Sequence, residues 1–220
     1  MPARKRVLSA DDEVAARLRR EFAERGMAVV NLIGAPGSGK TALLERTLDA
    51  LDGRLRTAVL VAGAAAGNDA RRLARHGAAV DRILTTGPCH LAAGCIAGHL
   101  PNVDADDLDL LLIGNVGGLV RPSRVDLGED GKVVVLSTTQ AQDNPRKYPA
   151  IFHRAIATVL TKTDLVPSSG CDMAAIRANL ERVHAGMAVF ETSARTGAGI
   201  EAWVAWLEGR VAHKRAACHL

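Results

Sequence analysis

The stretch Gly34-Ala35-Pro36-Gly37-Ser38-Gly39-Lys40-Thr41 combines residue types at a spacing suited to holding phosphate. It fits the pattern G-x-x-x-x-G-K-[ST]. Glycines let backbone N–H groups turn inward around phosphate oxygens, and a following helix adds partial positive charge at its N-terminus. On this reading Gly34, Pro36, Gly37, Ser38 and Gly39 form the cradle. Lys40 reaches the outer phosphates and the Thr41 hydroxyl binds magnesium, which makes these two the candidate catalytic residues. The flanks agree: Met27 to Ile33 is an apolar, strand-like run, and Thr41 to Leu48 reads as a helix. A glycine-rich turn with an incidental lysine would explain neither flank.

A phosphate loop does not choose a base. Thr161-Lys162-Thr163-Asp164 follows another apolar run and looks like the guanine-specificity motif N-K-x-D of regulatory GTPases. A carboxylate at Asp164 could accept from guanine N1–H and from its exocyclic amine. Adenine has no such donor pair on that edge and would leave the carboxylate unpaired. The Lys162 stem would lie along the base. Further on, Ser193-Ala194-Arg195 resembles the S-A-K/R element whose backbone contacts guanine O6. The expected cofactors are therefore GTP and Mg2+. Thr161 stands where the motif has Asn, the residue that ties the base loop to the phosphate loop, so looser base binding is expected.

A second candidate site is Cys89-His90, just before a helical stretch. A thiolate and an imidazole suit Ni2+ or Zn2+. Two ligands cannot close a metal site, but a symmetric dimer would supply four at its axis. Taken alone, the dipeptide is better described as a buried Cys beside a helix-capping His.

These residues need a frame. Apolar runs at Arg56 to Ala62, Ala79 to Leu84, Leu108 to Ile113, Lys132 to Leu136, Ala157 to Leu160 and Met187 to Phe190 alternate with helical stretches. Those stretches include Asp69 to His76, Leu91 to Leu100, Asp172 to His184 and Gly199 to Val211. The alternation predicts an α/β fold, a P-loop NTPase with a mostly parallel sheet flanked by helices. An N-terminal helix is expected at about residues 10–25, where Val14, Leu18 and Phe22 recur every fourth position. Without a repeat or linker, residues 1–220 read as one domain.

Composition narrows the function further. At 48% hydrophobic the chain can bury a sizeable core, but aromatics make up only 3%. The core is then aliphatic, and nucleic-acid binding by base stacking is not expected. The net charge of +4 comes partly from Arg4-Lys5-Arg6 and Lys214-Arg215, read as short solvated ends. No apolar run approaches the roughly 20 residues of a membrane span. The N-terminus lacks a secretory pattern, so a cytoplasmic protein is expected. The four cysteines are then thiols or metal ligands rather than disulfides.

From about Glu13 to Leu207 the chain resembles the hydrogenase nickel incorporation GTPase family, HypB, of the SIMIBI class. The resemblance is carried by Asn31 to Thr41, Cys89-His90-Leu91, Asn115-Val116-Gly117, Asp126-Leu127-Gly128-Glu129, Lys147-Tyr148-Pro149 and Ser193 to Gly197. It implies nickel delivery to [NiFe] hydrogenase and GTP-dependent homodimerisation. The implied partners are the hydrogenase large subunit and other maturation factors, and the metal would sit on the Cys-His pair at the dimer interface. The related urease accessory GTPases carry Cys-Pro-His, whereas here Cys and His are adjacent.

The departures from that family fall on chemistry. Ala64 replaces the Asp that follows Gly63, and Gly114 replaces the Glu before Asn-Val-Gly. Both acids help place magnesium and its waters, so their loss removes negative charge from a cation site. Arg121 replaces a metal Cys, Ala92 replaces an Asp and Gln140 replaces a Glu. Slow GTP hydrolysis is expected, with a degenerate nucleotide-binding scaffold as the alternative. Asp69, Asp109 and Asp126 are candidates to replace the lost acids. Cys95 or Cys218 could replace the lost thiol, although a core Cys95 and a frayed tail at Cys218 are favoured.

Overall fold

The computed structural model describes residues 2–63, 66–84, 91–115, 125–141 and 144–218, with side chains from residue 10 onward. Among these, seven strands form one sheet: β1 (Ala28–Ile33), β2 (Thr57–Ala62), β3 (Ala79–Ile83), β4 (Leu110–Gly114), β5 (Gly131–Ser137), β6 (Ala155–Thr161) and β7 (Ala188–Glu191). Their spatial order is β3-β2-β4-β1-β5-β6-β7 and every neighbouring pair is parallel. Every residue of β1, β2 and β4 is buried. That is why their sequences are nearly continuous apolar runs, interrupted only by Asn31 in β1 and Thr57 in β2: a parallel strand covered on both faces has no solvent side on which to alternate.

The helices are α1 (Pro2–Glu24), α2 (Lys40–Leu51), α3 (Ala66–Leu73), α4 (Ala93–His99), α5 (Asn144–Lys147), α6 (Pro149–Arg154), α7 (Val166–Ser169), α8 (Met173–Val183) and α9 (Ile200–Cys218). On one face of the sheet, Leu43 and Leu48 of α2 and Trp203 and Leu207 of α9 pack against Val30, Leu32, Val59 and Leu112. On the other, Leu18 and Phe22 of α1 and Ile96 of α4 cover Val29, Leu60 and Ile113. Phe152 of α6 and Ile176 of α8 cover Ile33, Val134 and Leu160. Trp203 is fully buried, and its indole N–H donates to Thr47 Oγ1 at 3.0 Å, so its one polar atom is satisfied inside the core.

The chain leaves β1 for β2 and β3 on one side, returns to β4, and then builds β5 to β7 on the other. The order therefore reverses about β1. Ligands of open α/β sheets bind in the crevice outside the carboxyl ends of the strands at such a switch point. Gly34 and Asn115 follow β1 and β4 at that place.

The described elements also correct several expectations. Helix α1 begins at Pro2 rather than near residue 10, and α9 continues past Val211 to Cys218. Lys214 and Arg215 are consequently not a solvated end. Lys214 pairs with Asp130 and Arg215 with Asp109, fastening α9 to the chain before β5 and β4. Cys218 Sγ donates to Glu24 O at 3.0 Å, so this position is docked, not frayed. Cys95 is exposed on α4 and is no core residue. Helices α5 and α6 are each under two turns and leave too short a pattern to read, although Pro149 sits in the first turn of α6 where proline is tolerated. No described helix is long and apolar enough to cross a membrane.

Candidate functional site

The phosphate loop runs from the end of β1 to the start of α2, and each glycine has a separate steric reason. A Cβ at Gly34 would collide with Val135 O and Ser38 Oγ. Gly37 and Gly39 have φ of 76° and 89°, in the left-handed region open to glycine. A Cβ at Gly39 would also lie 2.9 Å from Thr161 Oγ1. Pro36 and Gly37 form the exposed crest, whereas Ser38 is 2% exposed and its Oγ has no hydrogen-bond partner. A buried hydroxyl without a partner is costly and rare. An oxyanion received by the loop is one acceptor that would satisfy it.

Lys40 Nζ donates to Gly34 O at 2.6 Å and Ala35 O at 3.3 Å, so the ammonium is held across its own loop. Burial lowers its pKa to about 8, and the nearby Asp69 carboxylate opposes part of that shift. Thr41 Oγ1 donates to Asp69 Oδ1 at 3.0 Å. Of the three acids that could stand in for the missing pair, Asp69 is the one brought to the phosphate loop. Asp109 lies before β4, bound to the Arg56 backbone N–H and to Arg215 at the opposite end of the sheet. Asp126 pairs with Arg19 and accepts from the Gly128 N–H. The hydroxyl and carboxylate of Thr41 and Asp69 are hard oxygen donors, which suit a magnesium ion that keeps waters and phosphate oxygens as its other ligands.

Beside this loop lies a cavity of about 240 Å³ lined by Gly39, Leu43, Lys162, Asp164, Ala194 and neighbours. Asp164 is only 13% exposed at its side chain. Ser193 Oγ donates to Asp164 Oδ1 at 2.6 Å and itself accepts from Thr196 N at 3.2 Å, which fixes the carboxylate. Arg195 approaches Asp164 Oδ2 only to 3.8 Å and is 80% exposed, so that pair contributes little. Lys162 adopts a left-handed φ of 60°, and its Nζ donates to Gly37 O at 2.7 Å. The segments after β6 and β7 are joined by Thr163 N to Thr192 O at 3.1 Å. Ala194 O accepts from Arg46 Nε at 2.6 Å, a cross-tie from α2 for which the sequence carries no signal.

The premise for loose base binding is overturned. Thr161 Oγ1 donates to Ser38 O at 2.6 Å, with Leu136 O at 3.3 Å. Threonine thus joins the base loop to the phosphate loop, the connection that the sequence assigns to an absent Asn. Gly114 ends β4 with room beside it: a Cβ there would meet Leu44 Cδ1 at 3.6 Å, an ordinary contact. No steric need accounts for the missing side chain. Ala64, Cys89, His90 and Arg121 lie outside the described residues.

The site thus joins an anion cradle at a helix N-terminus to a slot with a fixed carboxylate at its edge. A CobW/HypB/UreG nucleotide-binding domain model matches residues 28–191. The chain belongs to this family. It is 41% identical over 202 residues to hydrogenase maturation factor HypB of Azotobacter vinelandii, covering 92% of this chain and 67% of that protein. A HypB crystal structure from Archaeoglobus fulgidus superposes with a TM-score of 0.86 at 34% identity, over 93% of this chain and all of that one. HypB from Helicobacter pylori in complex with nickel gives a TM-score of 0.87 at 28% identity, over 94% and 97% of the two chains. The residues matched by the family model include the phosphate loop and Asp164.

Proposed function

We propose that the protein is a GTP-binding nickel metallochaperone for the maturation of [NiFe] hydrogenase, and that it hydrolyses GTP slowly. The observation that carries the nucleotide reading is the Asp164 carboxylate, held by Ser193 in the slot beside the phosphate loop. In that place it accepts from guanine N1–H and the exocyclic amine, with the Ala194 backbone facing O6. Gly34 to Gly39 wrap the phosphates, and Lys40 leaves its own carbonyls for the outer phosphate oxygens. Magnesium, when bound, neutralises charge between the outer phosphates. Thr41 would offer it a hydroxyl lone pair while its O–H stays donated to Asp69, so Asp69 would orient the ligand and add one negative charge.

Nickel as cargo is supported by the Cys89-His90 pair and by the HypB relatives. The remaining parts of the reading follow from it: one GTPase domain over residues 1–220, a GTP-dependent homodimer that completes the metal site, and a cytoplasmic location. The large subunit of the hydrogenase and other maturation factors are the partners.

One observation favours a second reading, a scaffold with little turnover. Gly114 stands at the end of β4 with no side chain to place a water, although space is present. Single-turnover GTP hydrolysis with and without nickel separates the two. A rate that responds to nickel supports the metallochaperone. Nucleotide binding without measurable hydrolysis in either condition supports the scaffold, and rapid, nickel-independent turnover contradicts both.

A further inference from the structure

A polar chain crosses the otherwise apolar face of the sheet between its two core clusters. Asn31, in the central strand β1, is fully buried, with Val29 and Ile113 on one side and Ile33 and Val134 on the other. Its Nδ2 donates to Glu129 Oε1 at 3.1 Å, and its Oδ1 accepts from Asn115 Nδ2 at 3.1 Å. Glu129 is 5% exposed and Asn115 is 4% exposed. Glu129 Oε2 accepts from Leu127 N at 2.6 Å, and Lys132, the register partner of Asn31 on β5, donates to Oε1. At the far end, Asn115 N donates to Leu32 O at 3.0 Å, two residues before Gly34.

The direction of this chain is dictated by chemistry. An ionised carboxylate only accepts hydrogen bonds, so Asn31 must turn its NH2 toward Glu129. Its carbonyl oxygen then faces Asn115, which must answer with its own NH2. The charge on Glu129 therefore sets the orientation of an amide at the point where the chain leaves β4 beside the phosphate loop. Asn31 Oδ1 is itself buried and needs a donor, and the residue that supplies it is Asn115, at the carboxyl end of β4.

We propose that Glu129 is a positioning residue that, through Asn31, orients Asn115 and so sets the preference of the site for GTP over GDP. The inference rests on the GTP-binding reading. The outer phosphate distinguishes the two nucleotides, and the crevice at the carboxyl ends of β1 and β4 is where that phosphate would meet the chain. Glu129→Gln keeps the shape but abolishes the fixed polarity, because a carboxamide presents one acceptor and one donor.

The test measures Kd for GDP and for a non-hydrolysable GTP analogue with Mg2+ on the full chain, for wild type, Glu129→Gln, Asn115→Ala and the double variant. The ratio of the two affinities falls by at least about fivefold in Glu129→Gln, the low end of coupling between sites. GDP affinity stays within about twofold, and Glu129→Gln adds nothing to the ratio once Asn115→Ala is present. A purely structural role would lower Tm and leave the ratio unchanged. An unchanged ratio in the folded variant, or an equal effect of Glu129→Gln in both backgrounds, overturns the proposal. If Glu129→Gln does not fold, Asn31→Ser carries the same prediction, since serine is too short to join Glu129 to Asn115. Wild-type protein that binds neither nucleotide would instead reject the GTP-binding reading.

Discussion

The two sides of the phosphate loop respond differently to lost residues. On the base side Thr161 replaces an expected Asn, and its hydroxyl still reaches Ser38 O at 2.6 Å. On the other side Gly114 replaces an expected Glu, and no atom of its own takes that place. A tie between loops needs only a donor within reach, which either a carboxamide or a hydroxyl supplies. A cation site needs negative charge, which only another carboxylate restores. Asp69 brings one from α3, 3.0 Å from Thr41 Oγ1. On the proposed reading, the tie is restored in place by Thr161, and part of the lost charge on the cation side comes from a different element.

The largest break in this comparison comes from Asp69→Ala. With the Thr41 hydroxyl unsupported and the charge removed, single-turnover GTP hydrolysis falls roughly 100-fold, comparable to losing one preorganised polar group in an active site. Raising Mg2+ recovers part of the loss, which a magnesium titration of the rate checks. An equally fast variant would leave the cation side uncompensated after all.

A second effect is on pH. Burial holds Lys40 near 8 rather than its ordinary 10.5, so the free protein loses this charge as pH rises through about 8. Between there and 10.5 the unfolded chain binds more protons than the folded one, so this group's contribution to stability improves with rising pH. Nucleotide binding runs the other way. Phosphate charge favours the ammonium, so binding above about pH 8 takes up a proton, and affinity falls by up to roughly tenfold per pH unit. Calorimetry in two buffers of different ionisation enthalpy reads this proton directly, and Lys40→Met abolishes the dependence.

The smallest effect is predicted for the tie. Thr161→Val removes a hydrogen bond of about 0.5–1.5 kcal/mol and weakens GDP by about 2–12-fold. Thr161→Asn stays within a few-fold of wild type, since either side chain can make the connection. A loss as large as that of Asp69→Ala would mean that the base side is the fragile one. GDP titrations of both variants decide this.

What could be read in advance follows the same division. Gly34, Gly39 and Lys40 were legible because their roles depend on residue type at fixed spacing, and the sheet order then places the loop at the switch point. The reach of Thr161 was not legible, because it depends on how closely β6 approaches the loop. Asp69 was one of three candidates until the fold placed α3 beside Thr41. Lys214 and Arg215 read as a charged end, because their partners Asp130 and Asp109 are distant in the chain. Asn31, Asn115 and Glu129 stood inside family motifs, yet their joining through the core is a property of the packed sheet. Cys89 and His90 lie outside the described residues, and their proposed part in metal binding rests on the sequence.

The proposed guanine specificity of the site rests on Asp164. Its direct test is calorimetric titration of GDP and ADP, each with Mg2+, into wild type and Asp164→Asn. GDP is expected to bind wild type at least about tenfold more tightly than ADP, the value of one charged hydrogen bond of roughly 1.5 kcal/mol or more. Asp164→Asn removes that difference while ADP affinity stays the same. Equal affinity for GDP and ADP in wild type, or a preference that survives Asp164→Asn, would contradict it.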